Sequence, residues 1–234
     1  MVTYDHHQKL IVRGAVTGLI GFVLSGPIAV ILVTLINPQP LWVNAGVFVE
    51  NYHPVQNLPY YLGFILLAGM LMFSAGHYLS YSDTAPGIRT NLLIALALTI
   101  VFIALIAFNY ICQTTFIHNL ARHYRPEYES LIAGFSMANP ASFCWANEMW
   151  GYGVLGLATW LMAPCYRGKN SFIRWLLIAN GIVSLISPLW SIADVNWVMT
   201  PSGFSLYLVW NLLMIVLMIA VIRYTSAQIH KNNL

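Results

Sequence analysis

Charged residues are scarce in this sequence. Of its 234 residues, 7% are charged and 59% are hydrophobic, whereas soluble domains carry about 25% charged and about 45–50% apolar residues. This composition excludes a soluble globular domain, and it excludes a disordered chain, which would be polar. Six spans of about 22 residues each would use most of the apolar residues. We therefore predict a single all-α domain over residues 1–234, a polytopic membrane helical bundle with six transmembrane helices.

Several motifs of membrane enzymes and cofactor-binding proteins are missing. The three cysteines include no CxxC pair, which disfavours membrane thiol oxidoreductases. No lysine lies within an apolar run, which excludes a retinal protein. HExxH, GxSxG and paired intramembrane histidines suited to haem are also absent, so we predict no metal site and the cofactor stays unknown. Cys112 and Cys144 fall at the ends of adjacent apolar runs. They are either buried inert thiols or, in an oxidising compartment, a disulfide bridge.

Prolines, glycines and polar turns divide the apolar runs. The first run is longer than the apolar core of a signal peptide, so we expect a true span there. Asn139 and Pro140 predict the start of the fourth helix, because Asn is favoured at the N-cap and Pro at the first helical position. We place the six spans at about residues 13–36, 60–81, 90–116, 140–163, 171–193 and 201–222.

Two of these predicted helices contain a proline in mid-span. Gly26 and Pro27 interrupt the first run, and Ser187 and Pro188 interrupt the fifth. A proline removes one backbone donor and leaves a carbonyl without its helical partner. Such carbonyls are tolerated at membrane depth where they line a cavity, so the two breaks indicate where a cavity could lie.

Basic residues give the expected orientation. Eight of the ten Lys and Arg residues fall on one side of the spans, and Arg122 and Arg125 fall on the other. The positive-inside rule then places both termini in the cytoplasm. We expect a multi-pass protein of a cell membrane, such as the bacterial inner membrane, with the lipid bilayer rather than nucleic acid as its partner. The outer side then carries most groups suited to acid–base chemistry: Glu50, His53, His118, His123, Glu127, Glu129, Glu148 and Asp194.

Two connecting segments on the outer side carry a pattern of their own. Residues 117–139 alternate apolar and charged positions at steps of three or four, with Pro126 interrupting them. This pattern predicts an amphipathic interfacial helix between helices 3 and 4, either a surface helix that covers the bundle or a lid over a lateral opening. Residues 37–59 are rich in aromatic and amide side chains and carry one charge, so we expect this loop to fold back against the bundle.

Glu148 is the ionisable residue that most needs an explanation. It lies about 13 Å along the fourth predicted helix, and Trp145 indicates a position in the outer interfacial third. A charged residue within a span costs about 2.5–3.5 kcal/mol, so it must face a partner, a cavity or water. Asn109 and Gln113 share a face of the third helix. Either Glu148 only accepts a hydrogen bond from one of these amides, or it binds a proton or a ligand.

Three function classes stay open. The first, which we favour, binds or moves a small amphipathic or lipid-like molecule through an outer-leaflet pocket lined by Glu148, Gln113 and aromatic residues of the 37–59 loop. The second is an accessory subunit of a membrane complex, or a homo-oligomer. The third is an intramembrane enzyme that uses Glu148 with His118 or Asp194. The ligand-binding candidates are Glu148, Gln113, Asn109, His118, Trp145 and Asp194.

One stretch carries a resemblance. The residues from Asn139 to Ser142, from Trp145 to Tyr152 and from Gly156 to Thr159 resemble a segment of small bacterial six-helix polytopic membrane proteins that have no assigned activity. The resemblance lies mainly in residues 139–163. It implies a bacterial inner membrane protein and directs attention to Glu148.

Overall fold

The computed structural model describes residues 2–81 and 86–232, with side chains for 6–81 and 86–231. Helices make up 86% of the chain, and the described part contains no strand. The all-α prediction is therefore confirmed. Within this part, five helical segments are long and apolar enough to cross a membrane: His6–Ile36, Pro54–Ser80, Pro86–Arg122, Ser171–Ala193 and Pro201–Lys231.

Ten α-helices follow one another along the described residues. They are α1 (Val2–Val23), α2 (Ala29–Ile36), α3 (Ala45–Glu50), α4 (Leu58–Ser80), α5 (Pro86–Ile111), α6 (His118–Arg122), α7 (Glu129–Phe135), α8 (Phe143–Met162), α9 (Ser171–Ala193) and α10 (Pro201–Asn232). A π-helical turn at Leu24–Ile28 joins α1 to α2, and a second at Cys112–Ile117 joins α5 to α6. Helix α9 coincides with the fifth predicted segment at both ends, whereas α1 and α10 extend well beyond the predicted ones.

Helix α8 corresponds to the fourth predicted span but is not among the five apolar segments. Its polar residues Asn147 and Glu148 and its three glycines lower its mean hydropathy. The predicted start at Asn139 is wrong: the helix begins at Phe143, with the Ser142 hydroxyl accepting from the Trp145 backbone N–H at 3.1 Å. Glu148 is therefore about 8 Å from the helix start, closer than expected.

Six long helices form a closed ring in chain order. Helix α1 packs against α4, α4 against α5, α5 against α8, α8 against α9 and α9 against α10, and α10 returns to α1. One apolar core fills most of this ring, with Met70, Phe73, Phe102, Leu155 and Leu217 fully buried. The ring makes each of the six helices a neighbour of the space at its centre.

Glycines bring the backbones of α1 and α4 into direct contact. A Cβ atom at Gly21 would overlap the Leu66 backbone nitrogen, and one at Gly69 would overlap that of Gly18. A Cβ atom at Gly18 itself would meet only ordinary contacts, with the Met70 sulfur at 3.8 Å. Small residues at such positions let membrane helices approach closely.

The connecting segments 37–59 and 117–139 pack against each other. Residues 117–139 form two short helices, α6 and α7, rather than the single interrupted helix we predicted, because the chain leaves the helix after Arg122 and restarts in a 3-10 turn at Pro126–Tyr128. Helix α7 packs against α3 and α8. A second small core lies between them, built from Phe48, Ile117, Ile132 and other buried side chains.

We predict opposite results for two glycines of the same helix. Gly21→Ala forces a methyl group against the α4 backbone and should lower the free energy of unfolding by about 1–3 kcal/mol. Gly18→Ala has room for the methyl group and gains helix propensity, so its stability should equal or exceed that of the wild type. Thermal unfolding of both variants in detergent checks the pair, and equal stability of the two would contradict the close α1–α4 contact.

Candidate functional site

A cavity of about 510 Å³ lies inside the ring toward one of its ends, and we call it the Glu148 cavity. Residues of all six ring helices line it, and most of them are apolar or aromatic. The lining comprises Phe22, Ser25, Gly26, Val30, Pro59, Tyr60, Leu66, Tyr110, Trp145, Glu148, Met149, Tyr152, Ser184, Ser187, Val198, Met199, Phe204, Tyr207, Trp210 and Asn211. A pocket of this size is within the range of about 300–1,000 Å³ that small-molecule sites occupy.

Both mid-span prolines lie beside this cavity. Ser25 and Gly26 line it from the π-helical turn that contains Pro27, and Ser187 lines it next to Pro188 of α9. Helix α9 continues through Pro188, which packs against the Gly153 position of α8. Residues at both prolines therefore line one cavity, although the predicted break in the fifth helix is wrong.

The Asn109 side chain holds Glu148 in place. Asn109 is fully buried, and its Nδ2 donates to Glu148 Oε2 at 2.9 Å and to the Cys144 carbonyl at 2.8 Å. Its Oδ1 accepts from Asn147 Nδ2 at 2.7 Å, and Asn147 also donates to the Leu105 carbonyl. These bonds join α5 to α8 and use all the hydrogens of the Asn109 amide.

The protein surrounds the Glu148 carboxyl group with few hydrogen-bond donors and no positive charge in the cavity lining. Asn109 is the one described residue that donates a hydrogen bond to it, and Oε1 has no such donor. The lining contains no lysine, arginine or histidine. The carboxyl group therefore faces an apolar cavity with half of its acceptor capacity unused.

Aromatic rings pack against one another around the carboxyl group. The Tyr152 and Trp210 rings lie 5.0 Å apart, the Phe22 and Trp210 rings 5.3 Å apart, and Tyr60 contacts another lining tyrosine. Trp210 Nε1 donates to the Ser184 hydroxyl at 3.0 Å. Mutual contacts of this kind fix the ring orientations, so the lining is largely preformed.

The Trp145 indole nitrogen has no hydrogen-bond partner. Trp145 lines the cavity, and its Nε1 is buried without an acceptor among the described residues. A buried donor without an acceptor is uncommon in folded proteins. Trp145 therefore contributes its ring to the cavity wall, while its nitrogen is enclosed by protein.

The other predicted site residues lie elsewhere. We expected Gln113 to line the cavity, but its Nε2 donates to the Phe135 carbonyl and its Oε1 accepts from the Met137 N–H, at 2.9 and 3.0 Å. It therefore fixes the loop after α7. The aromatic residues of the 37–59 loop are also outside the lining, to which this segment contributes Pro59 alone.

Neither predicted partner of Glu148 in acid–base chemistry is near it. His118 Nδ1 lies 2.7 Å from the Tyr52 hydroxyl, which accepts from Asn57 at 2.8 Å. Burial raises the pKa of Tyr52 to about 12, so its hydroxyl stays protonated at neutral pH. Asp194 is exposed and accepts from the Asn196 backbone N–H at the end of α9. Neither residue lines the Glu148 cavity.

The cysteines are buried free thiols. The side chains of Cys112, in the second π-helical turn, and Cys144, in α8, lie close enough to interact. Cys165 lies alone at the other end of the ring, where burial raises its pKa to about 12. Within the described ranges, no three His, Cys, Asp or Glu side chains are grouped closely enough to hold a metal ion.

The sequence reasoning missed most of the aromatic lining, although a periodic signal was present. Trp145, Glu148 and Tyr152 recur at intervals of three and four on α8. Tyr207 and Trp210 do the same on α10. Residues so spaced share one helix face. Two such aromatic faces predict an aromatic pocket once α8 and α10 are known to face each other across the ring.

A second cavity of about 400 Å³ lies at the opposite end of the ring and includes His77 in its lining. Nδ1 of this buried imidazole lies 2.8 Å from the Phe73 carbonyl and Nε2 lies 2.8 Å from the Tyr166 hydroxyl. A carbonyl oxygen only accepts, so Nδ1 carries a proton, and both ring nitrogens already have partners. The His77 imidazole therefore has no hydrogen-bonding capacity left for a ligand.

No protein-family profile matches this chain, and neither do curated proteins or solved structures.

The Asn109–Glu148 hydrogen bond can be tested by exchanging its donor and its acceptor between the two positions. Asn109→Asp places an acceptor against the Cys144 carbonyl and Glu148, and should lower the free energy of unfolding by about 3 kcal/mol or more. Adding Glu148→Gln supplies a donor opposite the new carboxylate and should recover part of that loss. Thermal unfolding of the two single variants and the double variant measures the coupling; strict additivity would contradict the assigned bond.

Proposed function

We propose that this protein is an integral membrane protein that binds or moves a small amphipathic or lipid-like molecule through the Glu148 cavity. The observation that carries the proposal is a mainly apolar cavity of about 510 Å³ with a single carboxyl group in its wall. Ligand sites are typically apolar pockets in which a few polar groups converge. Glu148, Ser187 and Asn211 supply those groups.

The proposed arrangement in the membrane has six spans with both termini in the cytoplasm. Helix α8 supplies the additional span, since its 20 residues reach about 30 Å and it is bracketed by α5 and α9 in the ring. The asymmetry of basic residues supports this orientation in a bacterial inner membrane. Glu148 then lies near the outer leaflet, with α7 at the outer interface.

The opening of the cavity favours entry from the side. Val30, Met199, Phe204 and Tyr207 line the cavity and are exposed on the surface of the ring. They come from α2, from the 3-10 turn Trp197–Met199 and from the start of α10, so the opening lies between the first and the last long segments. Large exposed apolar side chains at its edge match the acyl chains of a bilayer better than water.

The two other predicted classes have less structural support. An intramembrane enzyme would need a partner for Glu148, and neither His118 nor Asp194 contacts it. An accessory subunit would need no open cavity at all, whereas here six helices contribute to one. We therefore place binding or movement of an amphipathic molecule first.

Cysteine labelling tests the orientation. The three native cysteines are buried and should react little with maleimide. Labelling of a single introduced cysteine can therefore be detected without removing them. Asn51→Cys and Ser130→Cys should react with a membrane-impermeant maleimide in intact cells. Ser226→Cys, near the end of α10, should react only after permeabilisation. The reverse pattern would place Glu148 near the inner leaflet and end the outer-leaflet proposal.

A cavity-filling variant tests the binding site. A Cβ atom at Gly26 would lie 3.7 Å from Asn211 Oδ1 and 4.0 Å from the Tyr207 hydroxyl. A side chain introduced there therefore enters the cavity without a steric clash at its Cβ atom. In native mass spectrometry, wild-type protein should bind a first lysophosphatidylethanolamine molecule more tightly than the Gly26→Leu variant, by about tenfold or more.

Gly134→Leu is the matched control for this experiment. No atom lies within 4 Å of a Cβ at Gly134, and this residue of α7 is outside the cavity. The control variant should bind the lysolipid as the wild type does. Equal binding by all three proteins would show that lysolipid occupies the outer surface of the ring, against the proposed function.

A further inference from the structure

We propose that the ligand of the Glu148 cavity is an amphiphilic organic cation, whose positive group lies beside Glu148 and whose apolar part extends toward the lateral opening. The inference deepens the proposed function and rests on it. It names the charge and the shape of the molecule that the same cavity accepts.

The charge of the lining is the first argument. Glu148 is the one carboxyl group in the wall, and no lysine, arginine or histidine is present there to balance it. An anionic ligand would bring a second negative charge into an apolar space that contains no positive group. A cationic ligand neutralises the carboxylate where charge is least tolerated.

The hydrogen bonds of Glu148 are the second argument. Asn109 donates to Oε2 and has no further hydrogen to give, because its other N–H donates to the Cys144 carbonyl. Oε1 has no donor among the described residues. A protonated amine or a quaternary ammonium group beside Oε1 would complete the environment that the protein leaves open.

The aromatic wall is the third argument. Tyr60, Tyr110, Tyr152, Trp145 and Trp210 contribute rings to the same cavity. The faces of aromatic rings carry partial negative charge and attract organic cations, and aromatic cages are a common means of binding quaternary ammonium groups. An aromatic wall next to one carboxylate fits a large, weakly hydrated cation.

The same lining does not fit a metal ion. Ca²⁺ takes six to eight oxygen ligands and Mg²⁺ takes six. The cavity offers a single carboxylate, and the described residues contain no group of three metal-ligating side chains. The volume of about 510 Å³ also far exceeds that of a bare ion. The ligand is therefore an organic cation with apolar bulk.

Two probes of nearly equal shape and opposite charge test the proposal. Tetraphenylphosphonium and tetraphenylborate can be titrated against the full-length protein in maltoside detergent by equilibrium dialysis, with protein-free micelles as the baseline. We expect saturable binding of the phosphonium ion and at least about tenfold weaker binding of the borate. Equal affinities, or tighter binding of the borate, would overturn the inference.

Two glutamate variants separate the site from the general charge of the protein. Glu148→Gln is nearly isosteric and can still accept from Asn109, so it should fold, and it should bind tetraphenylphosphonium about tenfold more weakly or not at all. Glu127→Gln removes an exposed carboxylate away from the cavity and should bind like the wild type. Unchanged binding by a folded Glu148→Gln variant would overturn the inference.

The lysolipid experiment separates this inference from the proposed function. If Gly26→Leu weakens lysolipid binding and tetraphenylphosphonium does not bind, the cavity binds an amphiphile without selecting a cation, and only the inference fails. If neither probe depends on the cavity residues, both fail. Competition between the two probes for one site supports both.

Discussion

The buried amide of Asn109 determines where the only carboxyl group of the cavity lies. Its two N–H bonds donate to Cys144 and Glu148, and its oxygen accepts from Asn147. The three partners lie within about one turn of α8. In a low-dielectric interior an unpaired amide is costly, so this set of bonds leaves few alternatives for the packing of α5 on α8. The position of Glu148 is thus a consequence of helix packing, and its remaining oxygen faces the space at the centre of the ring.

Chemically similar residues on α5 and the following π-helical turn have different roles because their surroundings differ. Asn109 lies opposite the first turns of α8, whereas Gln113, one turn further on, lies opposite the loop that enters α8 and bonds to Phe135 and Met137. An i,i+4 pattern predicts that the two amides share a face, but not which of them meets Glu148. That choice depends on the path of residues 136–142, which contain Asn139 and Pro140.

Apolar runs and their breaks predicted the all-α class and the approximate positions of the long helices. They predicted α9 to the residue, and they marked the two prolines that lie beside the cavity. They failed at the start of α8, because the Asn139 side chain bonds to the Ala133 carbonyl and the Ala141 N–H and so holds a turn rather than capping a helix. They also failed to predict the lining, which requires the contact of α1 with α10 that closes the ring. That contact joins residues about 200 positions apart, beyond any local pattern.

Movement of a ligand, unlike binding, needs a path between the two cavities, and the structure restricts where that path could open. Both cavities contact α1, α4 and α10, and between them lie packed side chains that include Phe73 and Leu217. The α1–α4 contact is made by backbone at Gly21 and Gly69, so it cannot widen without losing most of its packing. The α10 side presents Met214 and Met218, whose unbranched side chains adapt to changes of shape. Because the lateral opening is also formed by the start of α10, displacement of this one helix would both widen the entrance and loosen the packing that separates the cavities.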